Sequence, residues 1–149
     1  NLLKTYQGSA YHKNCALYEA SQTTNLIQVG IRSMNAKEKT VVDNEKVYYA
    51  HEMAVDDSWM DSAIDQMTGN VFISLDLSAI DISIMTSVVN PEPGGLFWNE
   101  TLDLLKMVYK KCNVVGFDIV ELAPIEGFSG PDFMASKLYY KLIAYKFDL

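Results

Sequence analysis

Histidine is nearly absent from this chain: only His12 and His51 are present, so imidazole chemistry has few places to reside. Cysteine is equally scarce. Cys15 and Cys112 lie far apart without metal-ligand spacing, which argues against a thiolate metal site or a disulfide framework and for a reduced, cytoplasmic chain. No Lys/Arg cluster offsets the formal charge of −7. That excludes nucleic acid, whose phosphates demand basic patches, and equally an anionic membrane surface. No apolar run approaches the ~18 residues of a spanning helix, and a signal-peptide pattern is not expected at the N-terminus. Internal repeats and low-complexity linkers are missing as well.

What is present is apolar material: 49% of the 149 residues are hydrophobic, enough for a single domain spanning residues 1–149. Strand and helix signals alternate. Asn25–Ile31 and Val47–Ala50 read as strands. Asp56, Asp57 and Ser58 offer caps for a helix to about Met67, closed by Gly69-Asn70. Val71–Leu77 reads as a buried strand, followed by an irregular loop, Ile82–Leu96, carrying Pro91, Pro93, Gly94 and Gly95. Asn99 is the expected cap of a helix over Glu100–Lys111 with Leu102, Leu105, Val108, Tyr109 and Cys112 on one face. The Asn99-Glu100-Thr101 glycosylation sequon falls at that helix start and is read as chance. Val114–Leu122 is the next strand, and Gly130-Pro131-Asp132 starts a terminal helix to about Lys146, with Met134, Leu138, Leu142 and Tyr145 on its apolar face. Apolar strands alternating with helices predict an α/β fold with a parallel sheet covered on both faces.

Open α/β sheets collect ligands beyond the carboxyl ends of their strands. Asp76 and Asp81 fall at and just past such an end. The run Asp76-Leu77-Ser78-Ala79-Ile80-Asp81-Ile82, then Asn90-Pro91-Glu92-Pro93-Gly94-Gly95, resembles the D-x-D-x-x-D-P and G-T-P-E-P-G-G segments of the ureohydrolase (arginase and agmatinase) family. Four further segments carry the same resemblance in the same order: Tyr6-Gln7-Gly8-Ser9-Ala10-Tyr11, Gln28-Val29-Gly30-Ile31-Arg32-Ser33, Val115 to Pro124, and Pro131 to Phe147. They match the stretch after the family's H-D-A-H-x-D motif, its Q-x-G-I-R-S strand end, its G-x-D-x-V-E-x-x-P strand and agmatinase-like C-termini.

The resemblance implies the C-terminal half of an arginase-like three-layer α/β/α fold with a mainly parallel sheet. It also implies a binuclear manganese hydrolase in which two hard cations direct a bridging hydroxide at a guanidinium carbon, releasing urea. The agmatine-type reaction is preferred on the similarity of the C-terminal stretch. Carried over position by position, Asp76 matches the first aspartate of the D-x-D metal pair, and Ser78 replaces the second with a neutral hydroxyl. Glu121 matches the glutamate that grips the substrate guanidinium through paired charge-assisted hydrogen bonds. Lys13 falls where the family has a histidine serving in proton transfer, and His12 is one position away. Asn1 falls on the last aspartate of H-D-A-H-x-D. His51 matches no metal position and reads as a polar residue at a strand end.

Even disturbing the hydrogen-bond partner of a metal ligand typically costs ~10–100-fold. Here ligand positions themselves are altered, so manganese is expected to be weak or absent and the chain alone inert. A non-catalytic scaffold or binding subunit for cationic guanidino or amine compounds is the alternative. Other readings stand beside these. Asp81 reads as a turn-former, Asp118 as a backbone cap or a site residue, and Glu121 as a substrate ligand or the partner of Arg32. Glu92 is expected to make loop hydrogen bonds. In the family a strand absent from this chain lies between the equivalents of Val71–Leu77 and Asn25–Ile31. The gap calls for a homo-oligomer, a partner chain supplying the N-terminal half, or a longer protein, unless the flanking strands pair directly.

Overall fold

The computed structural model describes residues 1–148. In chain order it contains α1 (Tyr18–Thr23), β1 (Gln28–Ile31), β2 (Val47–Tyr49), α2 (Ala50–Met53), α3 (Trp59–Asp65), β3 (Asn70–Asp76), α4 (Trp98–Lys111), β4 (Asn113–Val120) and α5 (Gly130–Phe147). Short 3-10 turns stand at Lys13–Cys15, Glu38–Thr40, Asn44–Lys46 and Leu77–Ala79.

The boundaries that differ from the sequence expectation have local causes. β1 starts at Gln28 rather than Asn25, whose amide side chain instead donates to the Gln66 carbonyl at 2.6 Å. α3 starts at Trp59 because Asp56 folds back on Ser58, accepting from its backbone N–H at 2.9 Å and its hydroxyl at 2.6 Å. α4 starts one residue before Asn99, with Phe97 at the cap position. The Glu100 carboxylate reaches back to the Phe97 N–H at 3.2 Å, satisfying a donor that the helix itself leaves open.

Both strand pairs are parallel. β1 pairs with β2, and β3 pairs with β4 in a register that sets Ser74 opposite Asp118 and Asp76 opposite Val120. An irregularity between Val71 and Phe72 leaves Val115 out of the ladder and brings Phe72 over Gly116. Each sheet has two strands, and β1 does not pair with β3 among the described residues, so the flanking strands have not closed the gap directly.

Alternation along β3 sends Val71, Ile73 and Leu75 to one side and Phe72, Ser74 and Asp76 to the other. The first side forms the main core with Leu77, Ile80, Met85 and Val88, with Leu102 and Leu105 of α4, and with Ala135, Leu138 and Leu142 of α5. Among the described residues no helix covers the second side: Phe72 is 60% exposed and Val115 57%. The expectation of helices over both faces is therefore met on one face only. A separate cluster of Met53, Trp59 and Leu96, with Val29 and Tyr48 against it, anchors the β1–β2 pair. No helix among the described residues is long and apolar enough to cross a membrane.

Candidate functional site

The site grows from the carboxyl end of β3. Asp76 caps the turn Leu77–Ala79, its Oδ1 accepting from the Ser78 backbone N–H at 2.8 Å and from the Ser78 hydroxyl at 2.5 Å. The two residues matched to the D-x-D pair are thus bonded to each other. Ser78 is a donor to Asp76 where a second carboxylate would have been a second acceptor.

Asp81 is buried and built into the loop rather than merely starting a turn. Its Oδ1 accepts from the Ser83 N–H at 2.9 Å, and its Oδ2 from the N–H groups of Gly94 at 2.6 Å and Gly95 at 3.0 Å. Hydrogen bonds from Ser83, helped by those of Gly95 and Gly94 and opposed by burial, hold its carboxyl at about 2, below the ordinary 3.8. The loop closes so tightly here that a Cβ on Gly95 would lie 2.6 Å from the Asp81 nitrogen and 2.7 Å from the Ala79 oxygen. No side chain fits at that position.

Arg32, just past β1, spans the two strand pairs. Nη1 donates to the carbonyls of Gly30 and Ala79, both at 3.1 Å, and Nη2 to those of Ser78 and Glu92. Glu92 accepts from the Ser33 hydroxyl at 2.9 Å, with its other oxygen 4.0 Å from Arg32 Nε. The expected loop bonding of Glu92 is present and extends to the end of β1. Arg32 is therefore occupied, and it is not the partner of Glu121. The sequence displayed both ends of this contact as motif matches, but nothing in their spacing announced that they touch.

Glu121 follows Val120, the register partner of Asp76, so both carboxylates stand at neighbouring strand ends. Its backbone has φ +68°, a left-handed conformation that costs a residue with a Cβ ~1–2 kcal/mol. Such strain is characteristic of positions where side-chain placement outranks stability. Asp118 lies two register pairs back on the open face and accepts from the Ser74 hydroxyl at 2.7 Å, so a cross-strand bond, not a backbone cap, accounts for it.

His12 and Lys13 belong to the N-terminal segment. His12 Nδ1 accepts from the Asn14 N–H at 3.2 Å, and its ring packs on Tyr6 with centroids 4.4 Å apart. Lys13 is exposed. Both line an open cleft with Lys4, Tyr11, Cys15 and Glu19, and neither Asp76 nor Glu121 lines it. Asn1 lies at the same end of the chain, where the N–H of adjacent Leu2 donates to Glu38 at 2.7 Å. His51 sits exposed on α2 beside Tyr49, ring centroids 5.8 Å apart, rather than at a bare strand end.

Among the described residues no three of His, Cys, Asp and Glu gather closely enough to hold a metal ion. Asp81 is spent on its loop, Asp118 on Ser74, and Asp76 on Ser78. The donors of this chain do not by themselves fit a pair of divalent cations.

The model of the arginase family matches residues 2–144. N(1)-aminopropylagmatine ureohydrolase of Thermus thermophilus is 34% identical over 149 residues, covering 98% of this chain and 50% of the relative. The protein of the same name from Synechocystis is 32% identical, covering 94% and 47%. Among solved structures, an agmatine ureohydrolase of Thermoplasma volcanium is similar with a TM-score of 0.82 and 28% identity, covering 96% of this chain and 50% of that one. The chain thus spans about half the length of the curated relatives it matches.

Proposed function

This chain belongs to the arginase family, and on that premise we propose that it is the guanidinium-gripping half of an agmatinase-like ureohydrolase, inert when alone. The inferred reaction of the completed protein is hydrolysis of a small guanidino compound to an amine and urea. One observation carries this reading: Asp76 and Glu121 stand at adjacent parallel strand ends, Glu121 in a left-handed backbone conformation. Glu121 takes the planar guanidinium through a forked pair of charge-assisted hydrogen bonds. Asp76 would occupy a metal position, while His12 and Lys13, in a cleft that neither Asp76 nor Glu121 lines, are not brought to it within this chain.

Manganese, which the family implies, needs donors that this chain does not bring together, so its centre would depend on groups from the other half of the fold. Substrates named for the relatives, N(1)-aminopropylagmatine and agmatine, share a guanidinium on a linear amine and are the compounds to try first. A second reading is favoured by the Ser78 hydroxyl on Asp76, which fills with a neutral donor the place of a carboxylate. It makes the chain a non-catalytic subunit that binds such cations without hydrolysing them.

The test is metal analysis of the purified chain together with urea release from agmatine and N(1)-aminopropylagmatine. Little bound manganese and no urea are expected from the chain alone. About two manganese ions per chain with steady urea release would overturn the inert reading. Calorimetric binding of either amine that disappears in Glu121→Gln supports the grip; binding unchanged by that substitution removes it.

A further inference from the structure

We propose that the cleft beside the turn Lys13–Cys15 binds the charged end of a small organic anion, a carboxylate or a phosphate monoester. The inference goes beyond the reaction proposed above and uses neither Asp76 nor Glu121. The cleft has a volume of about 520 Å³ between Lys4, Tyr11, His12, Lys13, Tyr18 and Glu19.

Its walls are fixed by backbone bonds. The chain reverses at Gln7 and Gly8, both left-handed with φ +49° and +81°, and Tyr6 and Ser9 close that turn through reciprocal bonds of 2.8 and 3.0 Å. The Leu3 N–H donates to the Asn14 carbonyl at 3.1 Å, which ties the stretch carrying Lys4 to the turn carrying Lys13. Cys15 is buried and donates from its N–H to the His12 carbonyl at 2.8 Å. A ligand therefore meets walls already in place, which lowers the ordering cost of binding.

Charge and hydrogen-bonding sense select the ligand. Residues 1–18 contain Lys4 and Lys13 and no Asp or Glu, in a chain whose formal charge is −7. Among the described residues neither lysine forms an ion pair, so both ammonium groups are free to engage a ligand. His12 accepts from the Asn14 N–H through Nδ1 at 3.2 Å, which in the neutral ring leaves the proton on Nε2 as a donor. Its ring is held against Tyr6, with centroids 4.4 Å apart. Glu19 is the one carboxylate on the lining. Donors thus dominate, a set that suits an acceptor-rich anion and repels an amine. The volume exceeds the needs of an inorganic ion and falls within the ~300–1,000 Å³ of small-molecule sites, so an organic body accompanies the charge. Lysine ammonium groups act as point charges and take carboxylate or phosphate alike.

The test is nitrogen-15 NMR of the purified chain, titrated at constant ionic strength with butyrate, inorganic phosphate and butylamine. Saturable shifts of the Tyr11, His12 and Lys13 amides are expected from an anion, with Kd on the order of 1–10 mM, and none from butylamine. The tighter of the two anions identifies the group. Lys4→Gln combined with Lys13→Gln is expected to weaken binding ~10-fold while the amides of β3 and β4 stay in place. Lys4→Arg combined with Lys13→Arg, which keeps both charges, should retain affinity within ~3-fold. Glu19→Gln should tighten binding ~3-fold by removing the opposing carboxylate, a gain that a merely structural role does not give. No saturable shift from either anion, an equal response to butylamine, or an affinity indifferent to the loss of both lysine charges would each overturn the site. Weaker binding in Glu19→Gln would do the same.

Discussion

Two carboxylates within a few residues of strand ends, Asp81 and Glu121, stand in opposite relations to the fold. Asp81 receives three backbone N–H groups, from Ser83, Gly94 and Gly95, and serves the loop. Its folded value of about 2 lies below the ordinary 3.8, so it stabilises the fold above about pH 4, and that contribution disappears as the pH falls towards 2. Asp81→Asn is expected to cost ~1.5–3 kcal/mol at neutral pH, the scale of hydrogen bonds to a charged group. It should also flatten the loss of stability between pH 4 and pH 2; urea midpoints measured across that range check both. An Asn variant with the wild-type acid limb would mean that another carboxylate governs it. Glu121 is the opposite case, since its φ of +68° makes it a burden on the fold. Glu121→Gly is expected to leave stability unchanged or raise it by ~1 kcal/mol while abolishing guanidinium binding. Loss of both together would mark Glu121 as structural.

At the scale of elements, the connection that matters is between β1 and the turn after β3, and it runs through one guanidinium. Arg32 reaches carbonyls of Gly30, Ser78, Ala79 and Glu92 with a planar fork, a geometry that a lysine ammonium cannot reproduce. Arg32→Lys is expected to lower stability by about 2 kcal/mol and to speed exchange in the Leu77–Ala79 turn more than in α4. Equal acceleration everywhere would deny it the role of a local staple. This connection also marks how far the sequence could be read. Strand and helix identities, the apolar faces of α4 and α5, and the strand-end position of Asp76 followed from periodicity, caps and the D-x-D resemblance, because each depends on neighbours a few residues away. The docking of Arg32 on residues 46 or more positions distant did not, nor did the three N–H groups on Asp81, because long-range approach is decided by how the loop packs. The early start of α4 was legible in hindsight: Glu100 lies three residues after Phe97, the spacing of a residue that reaches back to cap.

For the whole molecule, the decisive property is the inequality of the two faces of the β3–β4 pair. Leu75 and Phe72 are three residues apart on one strand yet belong to different environments, Leu75 being 9% exposed in the main core and Phe72 60% exposed on the other side. The main core lies on the side packed by α4 and α5, so the stability of the β3–β4 pair resides mostly there. Leu75→Ala is expected to cost ~2–5 kcal/mol, the range for truncating a buried leucine. Phe72→Lys should fall within ~0.5 kcal/mol of wild type, as for an exposed position free of special contacts. Parallel urea titrations decide it. A heavy penalty at Phe72 would mean that the chain covers this face with its own residues in solution, whereas near-neutrality there beside a large loss at Leu75 is the behaviour of a strand pair packed on one face only.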